Sequence, residues 1–279
     1  MAKQPVIEGL PEAYFGHDLP ARPPADPAWP RITVITPSYN QAQYLELTLR
    51  SVLLQAYPNL EYFVVDGGSA DGSVDILRRY EPCLDGWVSE ADRGQGHAIN
   101  KGLARATGDV LCWLNSDDCL APGALQTIAA IFRDRPDTDV VYGHHGILSS
   151  GSRAASFRPA KPVSFETLVA YWEPNPVHQP SVFWSRRAGA AVGMLREDLY
   201  FALDFEYWLR LAARYGFVLE PKVLSFAHRH PAAKTGQGKD GWVRERELVC
   251  KEQWRQMRPR DRWGLRLREL WHDPGKWFH

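Results

Sequence analysis

The chain has 279 residues, with 33 lysines and arginines against 33 aspartates and glutamates, so its formal net charge is zero. A composition 44% hydrophobic and 24% charged suits a folded globule and is too apolar for a disordered chain. Zero net charge excludes the diffuse basic field that general nucleic-acid binding needs, and the length accommodates one α/β core domain with a terminal extension.

The longest uncharged stretches, Ile32–Leu45 and Cys119–Phe132, hold 14 residues each and contain Pro, Asn, Gln or Thr. Both fall short of the roughly 18 apolar residues of a spanning helix. No apolar signal-peptide core follows Met-Ala-Lys-Gln-Pro-Val, and Cys83, Cys112, Cys119 and Cys250 form no C-x-x-C pair. The expectation is a cytoplasmic protein with reduced, mostly core thiols.

Residues 1–30 hold 7 of the 21 prolines and predict an extended arm. The β-branched run Arg31–Thr36 predicts a first strand, closed by Pro37. Tyr44, Leu45, Thr48, Leu49, Val52 and Leu53 then recur at helical spacing within Tyr44–Gln55. Leu60–Asp66 reads as a second strand ending in Asp-Gly-Gly, and Asp71 or Ser73 caps a helix carrying Val74, Ile76, Leu77 and Tyr80. A brief strand near Gly86–Val88, a helix around His97–Ala106, a strand over Asp109–Leu114, a helix over Pro122–Arg133 and a strand over Asp139–Tyr142 follow. This alternation predicts a mostly parallel, Rossmann-like sheet with helices on both faces.

From about Gly143 the pattern loosens. Strand segments at Gly146–Leu148, Ser181–Trp184 and Val218–Phe226 mix with helices at Phe165–Tyr171 and Leu203–Tyr215. They predict antiparallel strands extending the sheet, where an acceptor pocket can be built. Trp242–His279 reads as helices broken at Pro259.

Ligands of an open parallel sheet sit beyond the carboxyl ends of its strands. Polar groups cluster at those ends: Thr36-Pro37-Ser38-Tyr39-Asn40, Asp66, Asp92-Arg93 and Asn115-Ser116-Asp117-Asp118. No G-x-G-x-x-G, G-x-x-x-x-G-K-[ST] or G-x-S-x-G occurs, which disfavours dinucleotide, P-loop and hydrolase chemistry. Adjacent carboxylates at Asp117-Asp118 suit Mg²⁺ or Mn²⁺ bridging a diphosphate, hence a nucleotide or nucleotide sugar. Tyr39 could stack on a base and Asp66 could accept from a base imide N–H.

The segments TPSYNQAQYLELTLRSVLLQ, VVDGGSADGS, SEADRGQGHAINKGLARATGD and WLNSDD, followed by the looser HQPSVFW, LDFEYWLRLA and HRHPAAKT, resemble the family-2 glycosyltransferases of GT-A fold over roughly residues 31–235. The resemblance implies a metal-dependent, inverting transfer of one sugar from a nucleotide-diphosphate donor, UDP being the family's commonest, to a glycan, lipid-linked or other acceptor hydroxyl. Residue by residue, Thr36, Pro37, Tyr39 and Asp66 match base-binding positions, and Arg93 lies in the donor-contacting loop. Asp117 and Asp118 match the D-x-D-type element, Asp118 as direct metal ligand and Asp117 nearer the ribose. Asp204 sits at the position of the catalytic base, and His230 resembles a late histidine that completes the metal shell in some members. Lys101 lies where it could approach the diphosphate. The implied organisation is an arm at 1–30, a catalytic domain at 31–235 with nucleotide-binding (31–143) and acceptor (144–235) halves, and a helical extension at 236–279.

Three departures stand out. Gly67 follows Asp66 where the family commonly carries a second acid, His97 stands where close relatives often place Asp, and Gln-x-x-Arg-Trp of processive members is missing, with Pro259 at the Gln position. A polymer-extruding synthase is therefore disfavoured. A sugar-nucleotide pyrophosphorylase would need a Gly-rich loop where Pro37-Ser38-Tyr39-Asn40 stands, and a catalytically silent nucleotide-sugar-binding module is the remaining rival.

Plainer roles stand beside these. Asp117-Asp118 could cap the next helix, Asp66-Gly67-Gly68 could be a turn, and Asp204 could be a surface carboxylate. His228 and His230, two apart in a loop, could be simple polar residues, and His144-His145 and His178 have no Cys partners at zinc-finger spacing. In the tail, Lys251–His279 carries eight Lys/Arg against four Asp/Glu, and Trp263, Leu267, Leu270 and Trp271 form an apolar stripe. Such a stripe faces the catalytic domain or a homodimer partner; its alternative is a helix peripheral to the inner face of the membrane.

Overall fold

In the computed structural model the described residues are 6–8, 14–15, 18–149, 154–230, 233–234 and 239–272. Strands β2 (Ile32–Ser38), β3 (Leu60–Asp66), β4 (Gly86–Ser89) and β5 (Val110–Trp113) run parallel in the order β4-β3-β2-β5. Every residue of β2 is buried. A strand covered on both faces needs a continuous apolar run rather than alternation, which Ile32–Thr36 supplies. Helices α1 (Ala42–Leu53), α2 (Ser73–Tyr80), α3 (Gln95–Leu103) and α4 (Ala124–Asp134) alternate with these strands, as predicted to within a few residues. Asp71 accepts the Ser73 N–H at 3.1 Å and, across the rim, the Ala42 N–H at 2.8 Å, so one carboxylate tethers two helix starts.

The second half extends the sheet. β9 (Val182–Ser185) lies antiparallel between β5 and β7 (Val140–Ser149), and β7 continues antiparallel to β8 (Ala154–Arg158) and β8 to β1 (Val6–Glu8). β10 (Phe217–Arg229) runs parallel to β7 and antiparallel to the short β6 (Asp118–Leu120). The strand predicted to end at Tyr142 therefore continues to Ser149. The glycines that interrupt its pattern make room: a Cβ at Gly143 would stand 2.5 Å from Leu224, and one at Gly146 would stand 2.2 Å from Phe226.

An aromatic knot joins the two halves. Trp113, at the end of β5, stacks on Trp208 at 5.1 Å and 10°, and Trp184 and Tyr207 meet both edge-on. Trp208 belongs to α7 (Leu203–Ala212), which follows α5 (Phe165–Leu168) and α6 (Arg186–Val192). Such edge-to-face pairs each add about 1 kcal/mol beyond area burial, so α7 is fixed rigidly against the loop that leaves β5.

The tail forms α8 (Lys239–Gln256) and α9 (Pro259–His272), broken at Pro259 as predicted. Val249, Cys250, Trp254 and Leu265 join the main core. Of the predicted stripe, Trp263 and Leu267 are 68% and 57% exposed, while Leu265 and Glu269, outside it, turn inward. The side chains of Leu270 and Trp271, and Trp277, lie outside the described residues. The proline-rich arm is strapped to the domain. Tyr14 donates to the Leu120 carbonyl at 2.6 Å, Arg50 donates to the Tyr14 carbonyl at 2.6 Å, and Asn59 bonds Asp26 and Trp29. Cys112, Cys119 and Cys250 are buried, Cys83 is half-buried, and all four are free thiols.

Candidate active site at the carboxyl ends of the parallel strands

The loop Asn115–Asp118 leaves β5 at the rim, and Asp118 opens β6, whose pairing with β10 sets Ala227 opposite Asp118. That register carries His228 and His230 to the same place. Asp118 is 6% exposed. Its oxygens receive only long hydrogen bonds, 3.4 Å from the His228 N–H and 3.3 Å from Asn115 Nδ2. Asp117 Oδ2 lies 3.1 Å from His230 Nε2, whose Nδ1 is buried without a hydrogen-bond partner. The Tyr44 ring walls this corner, 4.3 Å from the His230 ring and 4.8 Å from that of His228.

Burial and the neighbouring Asp117 carboxylate raise the Asp118 pKa well above the ordinary range. A sealed carboxylate with weak donors, a second carboxylate beside it and an idle imidazole nitrogen together make an oxygen-rich, negative corner that a hard divalent cation would relieve. Asp117, Asp118 and His230 are thus brought together. Among the described residues, no three His, Cys, Asp or Glu side chains have already converged on one metal centre.

The second cluster lies at the ends of β2, β3 and β4. Asp66 is fully buried; its Oδ2 accepts from the Gly68 and Ser69 N–H groups at 3.1 and 2.8 Å and from Ser89 Oγ at 2.7 Å. Its Oδ1 accepts from Ser69 Oγ at 2.5 Å, which leaves that oxygen room for one more donor. Tyr39 stands 62% exposed above it. Thr36 is buried with its hydroxyl 3.0 Å from Tyr62 Oη, and Pro37 is buried in β2; these two shape the floor.

Gly67 acquires a physical reason here. A Cβ at that position would stand 2.8 Å from Asp92 Oδ2 and 3.2 Å from the Tyr39 ring. The space that a side chain at 67 would enter is filled by Asp92, whose Oδ1 is fixed by the Gly94 N–H at 2.7 Å. Arg93 forks onto Glu197 at 3.1 and 2.6 Å, and His97 Nδ1 accepts the Arg93 N–H at 3.1 Å. Lys101 pairs with Glu90 at 2.8 Å. Neither cation joins the corner formed by Asp117, Asp118 and His230.

Asp204 occupies the first turn of α7, half-buried, with Oδ1 accepting the Phe205 N–H at 2.7 Å. Burial raises its pKa, while the Phe205 N–H, Lys234 and Arg246 oppose that rise. Lys234 donates to Gln95 Oε1 at 3.0 Å and lies 4.0 Å from the Tyr200 ring. Gln95 Nε2 donates to Asn115 Oδ1 at 2.7 Å, and Asn115 Nδ2 donates to Gln179 Oε1 at 2.9 Å. A polar chain thus runs from the cation facing Asp204 to the amide that touches Asp118.

Residues 33–191 match the family model described as glycosyl transferase family 2. The chain belongs to this family. An uncharacterised glycosyltransferase of Mycobacterium tuberculosis is 33% identical over 221 residues, 74% of this chain and 81% of that one. The putative teichuronic acid biosynthesis glycosyltransferase TuaG of Bacillus subtilis is 44% identical over 93 residues, and the match spans only 36% of its length. Among solved structures, the mannosyltransferase PcManGT of Pyrobaculum calidifontis, in complex with GDP-Man and Mn²⁺, is similar with a TM-score of 0.60 and 22% identity, over 95% of this chain and 82% of that one. TarS 1–349 of S. aureus, in complex with UDP-GlcNAc, is similar with a TM-score of 0.57 and 20% identity, over 75% and 61% respectively. At these identities the two structures report the fold, a GT-A glycosyltransferase architecture.

Sequence reasoning about this glycosyltransferase places Asp92 and Asn115 at the strand ends without a role, and misses the site-forming side chains of Lys234 and of the two amides Gln95 and Gln179. Asp92 has a sequence signal, the glycine at 67 that leaves its space open. The amides have none, because their roles depend on which strand ends become neighbours.

Proposed function

We propose that this glycosyltransferase moves one sugar per encounter, with inversion, from a nucleoside-diphosphate sugar to a hydroxyl of a glycan or lipid-linked acceptor, using Mn²⁺ or Mg²⁺. The observation that carries the reading is the sealed Asp118 carboxylate beside Asp117 and the idle Nδ1 of His230. Asp118, Asp117 and His230 would hold the ion, which when bound offsets charge growing on the departing diphosphate. The exposed Tyr39 ring stacks on the base, and the remaining lone pair of Asp66 Oδ1 accepts its imide N–H. Uracil is the proposed base; GDP-Man in the one structural relative and UDP-GlcNAc in the other make guanine the alternative. Asp117 lies nearer the ribose. To reach the donor, Arg93 and Lys101 must leave Glu197 and Glu90.

Asp204 takes the proton of the acceptor hydroxyl as that oxygen attacks the anomeric carbon from the face opposite the diphosphate. Two facts favour it over a spectator role: its second oxygen accepts no hydrogen bond from the described residues, and burial raises its pKa into a more basic range. No helix of the described residues is long and apolar enough to cross a membrane. The proposed setting is the cytoplasm, with the exposed Trp263 and Leu267 beside Arg262 and Arg266 as a contact with an anionic membrane surface.

The test is a thermal-shift screen of UDP, GDP and dTDP with and without Mn²⁺. One nucleotide raises the melting temperature only when the ion is present, by mass action, and Asp204→Asn keeps that shift while losing sugar transfer. Absence of any Mn²⁺-dependent shift refutes the reading.

A further inference from the structure

Arg246, on α8, is 4% exposed, and its Nε and Nη2 are sealed from solvent without donating a hydrogen bond to any of the described residues. Its guanidinium lies 4.6 Å from the Phe205 ring and 5.0 Å from the Trp242 ring. The other part-buried arginines of this fold spend their donors. Arg210 forks onto Glu206 and reaches the Met194 carbonyl, Arg196 holds Asp198 and Glu252, and Arg50 binds the Tyr14 carbonyl.

A buried cation with unmet donors loses the hydration it had in the unfolded chain. Two cation–π contacts satisfy its charge but none of its N–H donors. The balance is negative unless a partner arrives, and the planar fork of Nε and Nη2 matches the two oxygens of a phosphoryl or carboxylate group. Asp204, the next residue before Phe205, and Glu173 are the acids whose charge reaches Arg246. Asp204 accepts no hydrogen bond from it among the described residues. A direct bond to Asp204 would make the proposed base a spectator, so an external anion suits this position better than an internal one.

We propose that Arg246 is an acceptor-binding residue that holds an oxyanion carried by the acceptor beside Asp204, so that this enzyme glycosylates an anionic acceptor. The inference rests on the transferase reading above. Phe205 is wholly buried, whereas Trp242 is half-buried; the Trp242 ring is the one that swings aside to admit the anion. The anion has two chemical sources, the phosphoryl group of a polyol or lipid phosphate and the carboxylate of an acidic sugar.

The test reads Arg246 itself. In the full chain labelled with ¹⁵N-arginine, a solvent-protected Nε–H resonance that vanishes in Arg246→Lys is followed while glycerol 3-phosphate, glucuronate, glycerol and glucose are added, with UDP and the diamagnetic Mg²⁺ present at saturation. The expected result is a saturable shift with glycerol 3-phosphate or glucuronate and none with the neutral pair; which anion acts identifies the source. Arg246→Lys, which keeps the charge and loses the fork, should weaken that anion at least tenfold by calorimetry. A resonance unmoved by both anions, or moved equally by glycerol or glucose, overturns the proposal. Should Arg246→Lys fail to fold, Trp242→Ala supplies the assignment by shifting the same resonance. If no nucleotide binds in an ion-dependent way, the transferase reading fails and this inference falls with it; if a nucleotide binds and the resonance ignores both anions, this inference alone fails.

Discussion

Glu245, on the tail helix α8, accepts the Ala202 N–H at 2.8 Å, two residues before Asp204. The same oxygen accepts the Phe201 N–H at 2.7 Å, and its partner oxygen accepts that of Tyr200 at 3.1 Å. Ala202, the capping position of α7, has no side chain able to do this, and a carboxylate at a helix start also complements the helix dipole. The extension therefore builds the segment on which the proposed base stands.

Glu245→Ala leaves three N–H groups without their acceptor, a loss of about 1–3 kcal/mol. The expected outcome is a lower urea midpoint and a kcat reduced by about tenfold, with nucleotide binding in the presence of Mn²⁺ retained. Unchanged kcat in a destabilised variant would show that the cap serves stability alone.

The contact between Gly67 and Asp92 gives a second expectation. Gly67→Asp places a side chain where Asp92 Oδ2 stands, adding overlap and like-charge repulsion. Donor-nucleotide affinity should fall by at least tenfold. Asp92→Gly in the same chain removes the obstacle and should recover most of the loss, so the two changes are non-additive. Additive losses, measured by calorimetric titration of the nucleotide with Mn²⁺, would mean that the residues do not share one space.

The parallel half was legible because β2, β3 and β5 are buried almost throughout and read as mostly apolar runs, with Leu60–Asp66 matching its strand end to end. The second half was harder. β6 is three residues that look like a loop until β10 pairs with them, and β7 carries two glycines whose meaning lies in Leu224 and Phe226 across the sheet. Asp117, Asp118 and His230 could be named because their residue types carry the chemistry. Thr36 could be named too, yet its hydroxyl turns inward to Tyr62, since strand alternation fixes its direction. The tail stripe misled for a related reason: α9 buries Leu265 with Glu269, whose carboxylate is held by Tyr171, so the inward face is partly polar.

The sealed Asp118 predicts a trade between stability and function. A buried carboxylate beside another, with only long hydrogen bonds, is destabilising while no cation is bound. Asp118→Asn keeps the shape and removes the charge, so the metal-free protein should melt a few degrees higher than wild type. The same variant should show no Mn²⁺-dependent nucleotide shift. A variant that melts lower yet keeps the Mn²⁺ response would contradict both halves.

His145 and His178 give the pH expectation. Their rings lie 3.7 Å apart. Burial, with the neighbouring His178 and Arg158, lowers the His145 pKa to about 3, and burial with Arg158 lowers that of His178 to about 4. In the unfolded chain both titrate near the ordinary value of about 6.5. Below that pH the unfolded state binds protons that the folded state refuses, so their stabilising contribution is complete above about pH 6.5 and is lost as pH falls toward 4. The slope is at most about 1.4 kcal/mol per pH unit for each histidine. Urea unfolding at pH 7, 6, 5 and 4 should show this decline, and His145→Asn, which cannot titrate, should show a shallower one. Parallel curves for the two proteins would mean that the pair takes up protons in the folded state as readily as in the unfolded one.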